Sequence, residues 1–433
     1  MKRRCVAAIL GFVSTLVVRA ASQESRTQTF VRGDTLYLER VMGKDSIRVG
    51  MSLPLGGAIS VLSLNGRELV NHFDNGREIQ VALYDANEIY DSCAGCTGVF
   101  GWDPVQGGDK YSHVPGVLDH ALVGDTIYTK SRALEWYPDS KGGGPQQAVP
   151  SDVIIEQWVS PAGDQPAFRV RYRISHAGTD LHANGLQEIP AIYGNLGFDR
   201  LVYYDGGKPW TRGRLNIVPL PRSPESLQPY VRTPEHWQGL VDSAGIGFVV
   251  YVPLQYSYTR GRHVVGEPGP RGRGLNYIRP FIPFSFGPGS VLTVDTYLVV
   301  GESHQMRAAI YALHAQIAGS MPGDVLPPYG ELDNPKGDSL VSGVVAVSGW
   351  VFDDDSVAGL TVKVDGQVVG TASLGRPRPD VDHMFPGLDP RAGFLLTFDT
   401  RRLGDGLHTI EIVARDRCGN LATFKRVRVR VAN

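Results

Sequence analysis

Alternation of apolar and polar side chains constrains this chain more than any other feature of its sequence. In "AFRVRYRISH", Phe168, Val170, Tyr172 and Ile174 alternate with arginines, which predicts a strand with one buried face and one solvated face. The segments "GIGFVVYV" and "VLTVDTYLVV" predict further strands, and the first is apolar enough to be covered on both faces. The pattern therefore predicts an all-β fold.

The turn residues agree with this prediction. The chain contains 52 glycines and 29 prolines, as expected for many turns. The Asn-Gly pair at 65–66 and the Asp-Gly pair at 365–366 each lie between apolar runs, and they predict hairpins because glycine tolerates positive φ. One amphipathic segment, 303–319, predicts a helix that is capped by Ser303 and ended by Gly319.

The chain is long enough to form more than one domain. Its 433 residues exceed what one compact core usually holds. Residues 320–335 are rich in proline, glycine and aspartate, which is typical of a linker. We therefore expect a large β-sandwich over 25–325 and a small one over 335–433.

The first 20 residues have the pattern of a secretory signal peptide. Basic residues at 2–4 precede an apolar run that is short for a bilayer span, and small residues follow it. We expect cleavage near residue 20. The mature protein would then be secreted, extracellular or periplasmic, and would not be held in a membrane.

Charge and cysteine content narrow the range of partners. The 43 basic and 44 acidic residues give a net charge of -1, which argues against nucleic acid as the main partner. In an exported protein, the C-x-x-C pair Cys93 and Cys96 favours a loop disulfide over a metal or redox site. The third cysteine after the signal peptide, Cys418, is expected to be a small buried residue.

No metal or cofactor is expected from sequence motifs. A second C-x-x-C, which would complete a zinc set with Cys93 and Cys96, does not occur. No P-loop or dinucleotide fingerprint is present either. The three aspartates 353–355 favour a solvated turn over a calcium loop, because they lack the alternating ligands of such a loop.

The segment 335–433 resembles the bacterial immunoglobulin-like domains. The resemblance is carried by "VSGWVFDDDSVAGLTVKVDGQVVG", "GRPRPDV" and "GLHTIEIVARDRCGN". Trp350 is expected to supply core bulk. The resemblance implies a small immunoglobulin-like β-sandwich of the kind that ends many secreted enzymes and surface proteins.

The large domain mixes aromatic residues with carboxylates, amides and imidazoles, which suits a sugar because its rings stack and its hydroxyls take bidentate polar partners. The segments "GGAISVLSLNGRELVN", "NGREIQ", "WDPVQGGD" and "QEIPAIY" resemble carbohydrate-active proteins of the galactose-mutarotase-like supersandwich type. This resemblance implies a polysaccharide or oligosaccharide as partner.

Glu188 is the leading catalytic candidate, because its apolar neighbours are expected to raise its pKa as a general acid requires. Asp103 or Asp109 would supply the second carboxylate of a glycoside hydrolase. The open alternative for Glu188 is a structural carboxylate bound to an arginine such as Arg77. Any single tryptophan is more often core filler than a binding residue, and only the repeated placement of tryptophans beside glycine, proline and acidic residues favours a groove. The candidate substrate-binding residues are Arg77, Gln80, Trp102, His113, Gln187, Tyr203, Tyr204, Trp210 and Trp237.

Two other functions fit some of the same residues. A polysaccharide lyase needs a Tyr or His base and a group that neutralises the uronate carboxylate, and His113 with Tyr111, or His72 with Arg77, would serve. A non-catalytic glycan-binding or cell-surface adhesion protein is the third reading. Of the two reactions, the sequence favours hydrolysis slightly over elimination.

Overall fold

The structure is a computed structural model that describes residues 25–85, 89–90, 99–221, 230–321 and 323–433. The predicted signal peptide at 1–20 and the predicted disulfide pair Cys93 and Cys96 lie outside the described residues. Among the helices that are described, none is both long and apolar enough to cross a bilayer.

The first 23 strands form the larger β structure together with one long helix. The strands are β1 (Arg26–Arg32), β2 (Thr35–Met42), β3 (Asp45–Ser52), β4 (Ile59–Leu64), β5 (Arg67–Glu68), β6 (Ile79–Ala82), β7 (Ile89–Tyr90), β8 (Val99–Phe100), β9 (Pro104–Val105), β10 (Asp119–Val123), β11 (Thr126–Glu135), β12 (Pro150–Pro161), β13 (Ala167–His176), β14 (His182–Asn195), β15 (Arg200–Tyr203), β16 (Asn216–Pro219), β17 (Val231–Arg232), β18 (Trp237–Val241), β19 (Ile246–Tyr251), β20 (Tyr258–Val264), β21 (Leu275–Pro280), β22 (Ile282–Phe286) and β23 (Val291–Glu302). The helix is α1 (Ser303–Ile317), and a 3-10 turn at Pro138–Lys141 lies between β11 and β12.

Two antiparallel ladders build the sandwich. One ladder runs β10, β11, β12, β13, β23, β19, β18, β15 and β16. In the other, β14 pairs with β21 and β22 on one edge and with β6 on the other. The short strand β9 pairs with both β11 and β6, so the two ladders are continuous. The strand β14 therefore has hydrogen-bonded neighbours on both sides.

The strands predicted from alternation are confirmed. Along β13, the four apolar side chains are fully buried and the arginines between them are partly or fully exposed. The strand β19 is buried on both faces after its first residue, as its apolar sequence predicts. The hairpin turns at 65–66 and 365–366 have the positive φ angles that Asn-Gly and Asp-Gly pairs favour.

The predicted helix is confirmed, but its predicted cap is wrong. The N-cap residue of α1 is Glu302, whose carboxylate accepts hydrogen bonds from the backbone N–H groups of His304 (3.0 Å) and Gln305 (3.3 Å). Ser303 is the first helical residue. A longer carboxylate one residue earlier reaches the same free N–H groups and adds a favourable charge at the helix N-terminus. The helix continues into a 3-10 turn at Ala318–Ser320 that contains Gly319.

The remaining strands form a small β-sandwich with two sheets. They are β24 (Tyr329–Asn334), β25 (Ser339–Val341), β26 (Val344–Phe352), β27 (Val357–Val364), β28 (Gln367–Thr371), β29 (Ser373–Arg376), β30 (Gly393–Asp399), β31 (Gly406–Asp416) and β32 (Leu421–Val431), with a short helix α2 (Pro379–Met384) and a 3-10 turn at Thr400–Arg402. One sheet has the order β24, β26, β30, β29 and the other β25, β32, β31, β27, β28. The first strand, β24, lies inside the predicted linker 320–335. The division into domains 25–325 and 335–433 stays a prediction.

A shared aromatic core joins the two sandwiches. Trp350, Phe352 and Phe385 from the small sandwich belong to the same buried cluster as Tyr256 and Phe281 from the large one. Trp350 therefore supplies core bulk as predicted, but it does so between the sandwiches.

Two further predictions for the small sandwich differ from the structure. Cys418 is exposed and free, so the prediction that it is buried is wrong. It follows Asp416 in the turn between β31 and β32, where side chains point to solvent. In the turn 353–355, Asp353 accepts a hydrogen bond from Tyr256 (2.7 Å) and Asp354 accepts one from the Ser257 backbone (2.8 Å). The turn is therefore attached to the large sandwich rather than only solvated.

Candidate functional site

Glu188 and Tyr193 lie on one partly open face of β14. Side chains five residues apart point to opposite faces of a regular strand. The pairing of β14 with β6 is irregular between Glu188 and Ala191, and such a bulge re-aims the side chains beyond it. As a result, both Glu188 and Tyr193 are half-buried, while Ile189 and Ile192 are fully buried.

The neighbouring strand β21 supplies two polar partners for Glu188. Tyr277 donates its phenol hydrogen to Oε1 of Glu188. The guanidinium Nη1 of Arg279 lies 3.3 Å from the same oxygen, and the Glu188 side chain keeps 12% of its surface exposed. The predicted apolar surroundings of Glu188 are therefore wrong, and its arginine partner is Arg279 rather than Arg77.

Three tyrosines surround the Glu188 charge. Burial raises the pKa of Tyr277 and of Tyr84 well above the usual range, and the negative charge of Glu188 raises both further. Burial followed by the same charge raises the pKa of Tyr193 to about 12. The rings of Tyr193 and Tyr277 meet edge to face at 5.6 Å. We call Tyr84, Glu188, Tyr193, Tyr277 and Arg279 the Glu188 site.

Arginines extend beside this site along strand β20. Arg262 lies opposite Tyr277 in the β20–β21 ladder, and Arg260 lies opposite Arg279. The Arg262 guanidinium is 5.5 Å from the centre of the Tyr277 ring. Arg260 is half-buried and Arg262 is exposed. The site therefore borders a positively charged strip that is open to solvent.

Asp103 lies near the Glu188 site but is fully buried. Its Oδ1 accepts a hydrogen bond from the Tyr137 backbone (3.3 Å), and its own N–H donates to Oε2 of Glu135 (3.1 Å). Burial and the adjacent Glu135 charge raise the pKa of Asp103 to about 8. The Asp103 charge also contributes to the raised pKa of Tyr84, so Asp103 and Glu188 both act on that phenol.

Asp109 and His113 bind each other within their own loop. The Asp109 carboxylate accepts hydrogen bonds from the backbone N–H groups of Tyr111 (2.9 Å) and His113 (3.0 Å), and it lies 2.7 Å from Nδ1 of His113. The Tyr111 phenol donates to Asp139 (2.8 Å). These contacts stabilise the loop, and none of them involves the Glu188 site.

His72 is also held by carboxylates. Hydrogen bonds to Glu68 and Glu78 raise the pKa of His72 to about 9. A histidine that is protonated at neutral pH cannot accept a proton there, which argues against His72 as a lyase base.

Three predicted polar residues hold backbone segments beside the site. Arg77 donates to Oε1 of Gln80 (3.0 Å) and to the carbonyl of Gly108, and its guanidinium lies 4.3 Å above the Trp136 ring. Gln187 pairs with both the N–H (2.9 Å) and the C=O (3.1 Å) of Tyr84. Gln187 thereby fixes the backbone of a tyrosine in the Glu188 site.

The predicted aromatic residues lie in two other places. Trp102 is 2% exposed and stacks on His182 at 3.9 Å. Tyr203 belongs, like Trp102, to the largest buried cluster. Tyr204, Trp210 and Trp237 pack where the large sheet meets α1. There, Glu235 accepts hydrogen bonds from the Trp237 indole (2.9 Å) and the Trp210 backbone (2.9 Å). These four residues serve as core and anchoring groups, away from the contacts of Glu188.

Sequence reasoning missed Tyr277, Arg279 and Tyr84. The alternation in "LNYIRP" places Tyr277 and Arg279 on the same face of β21, but nothing in the sequence indicates which carboxylate they face. Two clefts of about 670 and 590 Å³ are lined by described residues, and their linings contain neither Glu188 nor these partners.

The described residues contain two groups of side chains that could hold a metal ion. One group is Asp152, His176, Asp180 and His182, and the other consists only of aspartates, Asp324, Asp353 and Asp416. The first group joins two imidazoles with two carboxylates, which is the donor set of a transition-metal site.

Comparisons with known proteins give only distant likenesses. No family model matches the chain, and no curated protein matches it. Similar solved structures include an endo-β-1,4-mannanase from Thermotoga petrophila (19% identity, TM-score 0.19, 30% of this chain and 24% of that one). A polysaccharide lyase is also similar (10% identity, TM-score 0.31, 89% of this chain and 46% of that one). So is a galactose mutarotase-like protein from Lactobacillus casei (9% identity, TM-score 0.36, 64% of this chain and 100% of that one).

The chain thus spans about a quarter of the mannanase and about half of the lyase. Every one of these TM-scores is below 0.5. The comparisons therefore assign neither a family nor an activity to this chain.

Proposed function

We propose that this protein is a secreted carbohydrate-active enzyme that cleaves an acidic polysaccharide by elimination at the Glu188 site. The observation that carries the proposal is the contact of Tyr277 and Arg279 with one oxygen of a half-buried Glu188. Elimination requires a base for the proton beside a uronate carboxylate and a cation that neutralises that carboxylate. A tyrosine, a carboxylate and several arginines supply both.

The arginines point to an acidic sugar. Arg279 already pairs with Glu188, whereas Arg262 is exposed and lies beside the Tyr277 ring. A guanidinium binds a carboxylate through two parallel hydrogen bonds. We assign Arg262 to the uronate carboxylate, with Arg260 extending the positive strip along the polysaccharide.

Tyr277 and Glu188 would move the proton together. Because its pKa is raised, the Tyr277 phenol is neutral at pH 7 and can accept a proton only as it gives up its own. The proton on the carbon beside the carboxylate would pass to Tyr277 as the phenol proton passes to Oε1 of Glu188. The electron pair of the broken C–H bond then forms the ring double bond, and the glycosidic C–O bond to the neighbouring carbon breaks. The leaving oxygen takes up a proton from water, and the hydroxide so formed removes the proton that Glu188 received, which restores the site.

Hydrolysis is the second candidate, and one observation favours it. The raised pKa of Asp103 favours its neutral carboxylic acid form, and Asp103, when ionised, would share with Glu188 an electrostatic effect on the Tyr84 phenol. A glycosidase needs a carboxylic acid and a second carboxyl group, and Asp103 with Glu188 would supply the two. Asp103 is only 1% exposed, however, so elimination is the better-supported reaction.

The test is a screen of the full chain on acidic and neutral polysaccharides. Elimination creates an unsaturated sugar that absorbs in the ultraviolet, while hydrolysis creates reducing ends without that absorbance. We expect ultraviolet absorbance on a uronate polymer. We also expect a loss of about 10²- to 10⁴-fold in kcat for both Glu188→Gln and Tyr277→Phe, with folding and glycan affinity largely intact.

The chain offers a matched control. Tyr128 donates to Glu156 (3.2 Å), and Glu156 also pairs with Arg173 (2.6 Å) on the outer face of the sandwich. Glu156→Gln and Tyr128→Phe should keep the wild-type rate. Wild-type turnover by Glu188→Gln would remove Glu188 from the chemistry, and reducing ends without absorbance would favour hydrolysis. Glycan binding without any product would indicate a non-catalytic glycan-binding protein.

A further inference from the structure

Four potential metal ligands meet where β13 ends and β14 begins. His176 is the last residue of β13, His182 is the first of β14, Asp180 lies in the connection between them, and Asp152 lies on the adjacent strand β12. One ligating atom from each side chain lies within 4.8 Å of all the others. Both imidazoles are buried, with 0% and 1% of their side-chain surface exposed.

The four histidine–carboxylate distances in this group are close to those between ligands of one metal ion, with Asp180 facing each imidazole through a different oxygen. His176 Nε2 lies 3.0 Å from Asp152 Oδ2 and 3.6 Å from Asp180 Oδ1. His182 Nε2 lies 4.0 Å from Asp152 Oδ2 and 3.6 Å from Asp180 Oδ2. Metal–ligand bonds of about 2.0–2.1 Å in tetrahedral geometry require ligand–ligand distances of about 3.3 Å. The observed separations bracket this value, so little rearrangement would close the set around an ion.

Neighbouring groups orient these ligands for metal binding. His176 Nδ1 lies 2.8 Å from the carbonyl of Gly287. Since a carbonyl only accepts, Nδ1 carries a hydrogen, and Nε2 is the nitrogen that faces the other potential ligands. The Trp102 indole donates to Asp152 Oδ1 (3.0 Å), which leaves Oδ2 directed at the imidazoles. His182 Nδ1 lies 3.5 Å from the Asp85 carboxylate, which is the outer partner that metal-bound histidines usually have.

Gly178 leaves open the space that an ion would need. A Cβ atom at this position would lie 2.3 Å from Asp152 Oδ2, 2.5 Å from His176 Nε2 and 2.8 Å from Asp180 Oδ1. Three ligand atoms from different segments therefore converge on one small volume beside the backbone. Gly178 has no left-handed φ, so the local backbone would accept alanine. A side chain at position 178 is excluded because its Cβ atom would occupy the space between these three ligand atoms.

From this geometry we propose that Asp152, His176, Asp180 and His182 form a structural site for a divalent transition metal of the zinc class. Two imidazole nitrogens and two carboxylate oxygens suit Zn²⁺ better than Ca²⁺ or Mg²⁺, which prefer oxygen ligands alone. Four protein ligands leave no open position, as in structural rather than catalytic zinc sites. The ion would tie the β13–β14 connection to β12. This proposal is independent of the reaction at Glu188, and it revises the expectation from sequence motifs that no metal is bound.

Metal binding by the full chain tests the site directly. The chain is stripped with a chelator and titrated with Zn²⁺ by calorimetry, and with Co²⁺ by visible absorption, which reports tetrahedral coordination. We expect one equivalent bound with a Kd below about 1 μM, as for structural zinc, and a rise in Tm on binding.

The variants separate metal binding from folding. Asp180→Asn changes the most exposed ligand (61% exposed), so it should fold normally while binding metal at least about 10-fold more weakly. Gly178→Ala retains all four ligands but fills the volume, and it should lose the ion. The matched controls are Gly197→Ala, where a Cβ meets nothing within 4 Å, and His120→Gln at an exposed histidine.

Both controls should bind as the wild type does. If the stripped chain takes up neither metal, or if Asp180→Asn and Gly178→Ala bind with wild-type affinity, the four residues are a hydrogen-bonded histidine–carboxylate cluster and the proposal is wrong.

Discussion

Phe385 is the residue at which the contact between the two sandwiches can be tested most sharply. It lies just after α2, is 1% exposed, and stacks on Tyr230 of the large sandwich at 4.7 Å. It also meets Tyr258 at 5.4 Å and Phe352 at 4.9 Å. Phe385→Ala would therefore remove a ring that contacts both sandwiches at once.

The expected loss of stability follows from the buried area. A buried aromatic side chain removes at least about 150 Å² from water, and at about 25 cal/mol per Å² this contributes about 4 kcal/mol. This agrees with the range of about 3–5 kcal/mol for Phe→Ala changes in protein cores. Because the lost contacts lie between the sandwiches, the variant should also unfold them in two separate transitions.

Urea unfolding, followed by tryptophan fluorescence and circular dichroism, measures both effects. The matched control is Phe394→Ala, which removes a ring of the same size (2% exposed) from the core inside the small sandwich. The control should lose a similar free energy without weakening the contact between the sandwiches. A loss below about 1 kcal/mol for Phe385→Ala, or transitions that remain coincident, would refute the shared core.

Two further predictions concern buried carboxylates. Glu235 is 1% exposed and pairs with Arg307 at 3.0 Å, so Glu235→Gln leaves a buried guanidinium without its charge partner. The free energy of unfolding, measured in urea, should fall by about 3–5 kcal/mol, and a fall below about 1 kcal/mol would contradict this. For Asp103, burial raises the pKa to about 8, so the folded chain binds more protons than the unfolded chain between about pH 4 and pH 8. The free energy of unfolding should therefore fall as pH rises through this window, and Asp103→Asn should make the slope between pH 6 and 8 shallower; an unchanged slope would show that Asp103 is ionised.

Local sequence patterns predicted the elements of the fold well. Alternation identified β13, and the fully apolar run identified β19, because each strand's pattern reflects which of its faces are covered. The helix was found from its period, but its N-cap was misplaced by one residue. The preference for serine as a cap did not account for Glu302, whose longer carboxylate reaches the same N–H groups.

The candidate site was only partly predictable. Glu188 was chosen for its apolar sequence neighbours, yet its contacts are Tyr277 and Arg279 on a strand about 90 residues later. Sequence distance hides such a pairing, and the bulge in β14 reverses the faces that simple alternation assigns. The tryptophans were predicted from local composition, which does not indicate burial. Trp102 and Trp237 are buried, as large aromatic residues usually are.

The proposed metal site has a local sequence signal. His176, Asp180 and His182 lie within seven residues of one another, a spacing that cysteine motifs do not capture. The fourth residue, Asp152, comes from the adjacent strand, and only the β12–β13 ladder brings it close. A histidine pair flanking a tight turn between strands is therefore a useful signal when a carboxylate precedes it on the neighbouring strand.

Burial alone does not distinguish a catalytic carboxylate from a structural one in this chain. Glu235 accepts hydrogen bonds from four groups and Asp109 from three, and both are almost fully buried. At Glu188 both donors contact Oε1, and within the described part of the chain no donor contacts Oε2. The Glu188 side chain also keeps 12% of its surface exposed, so we expect a substrate to reach this second oxygen. This remaining capacity, rather than apolar surroundings, is the physical reason to expect chemistry at Glu188.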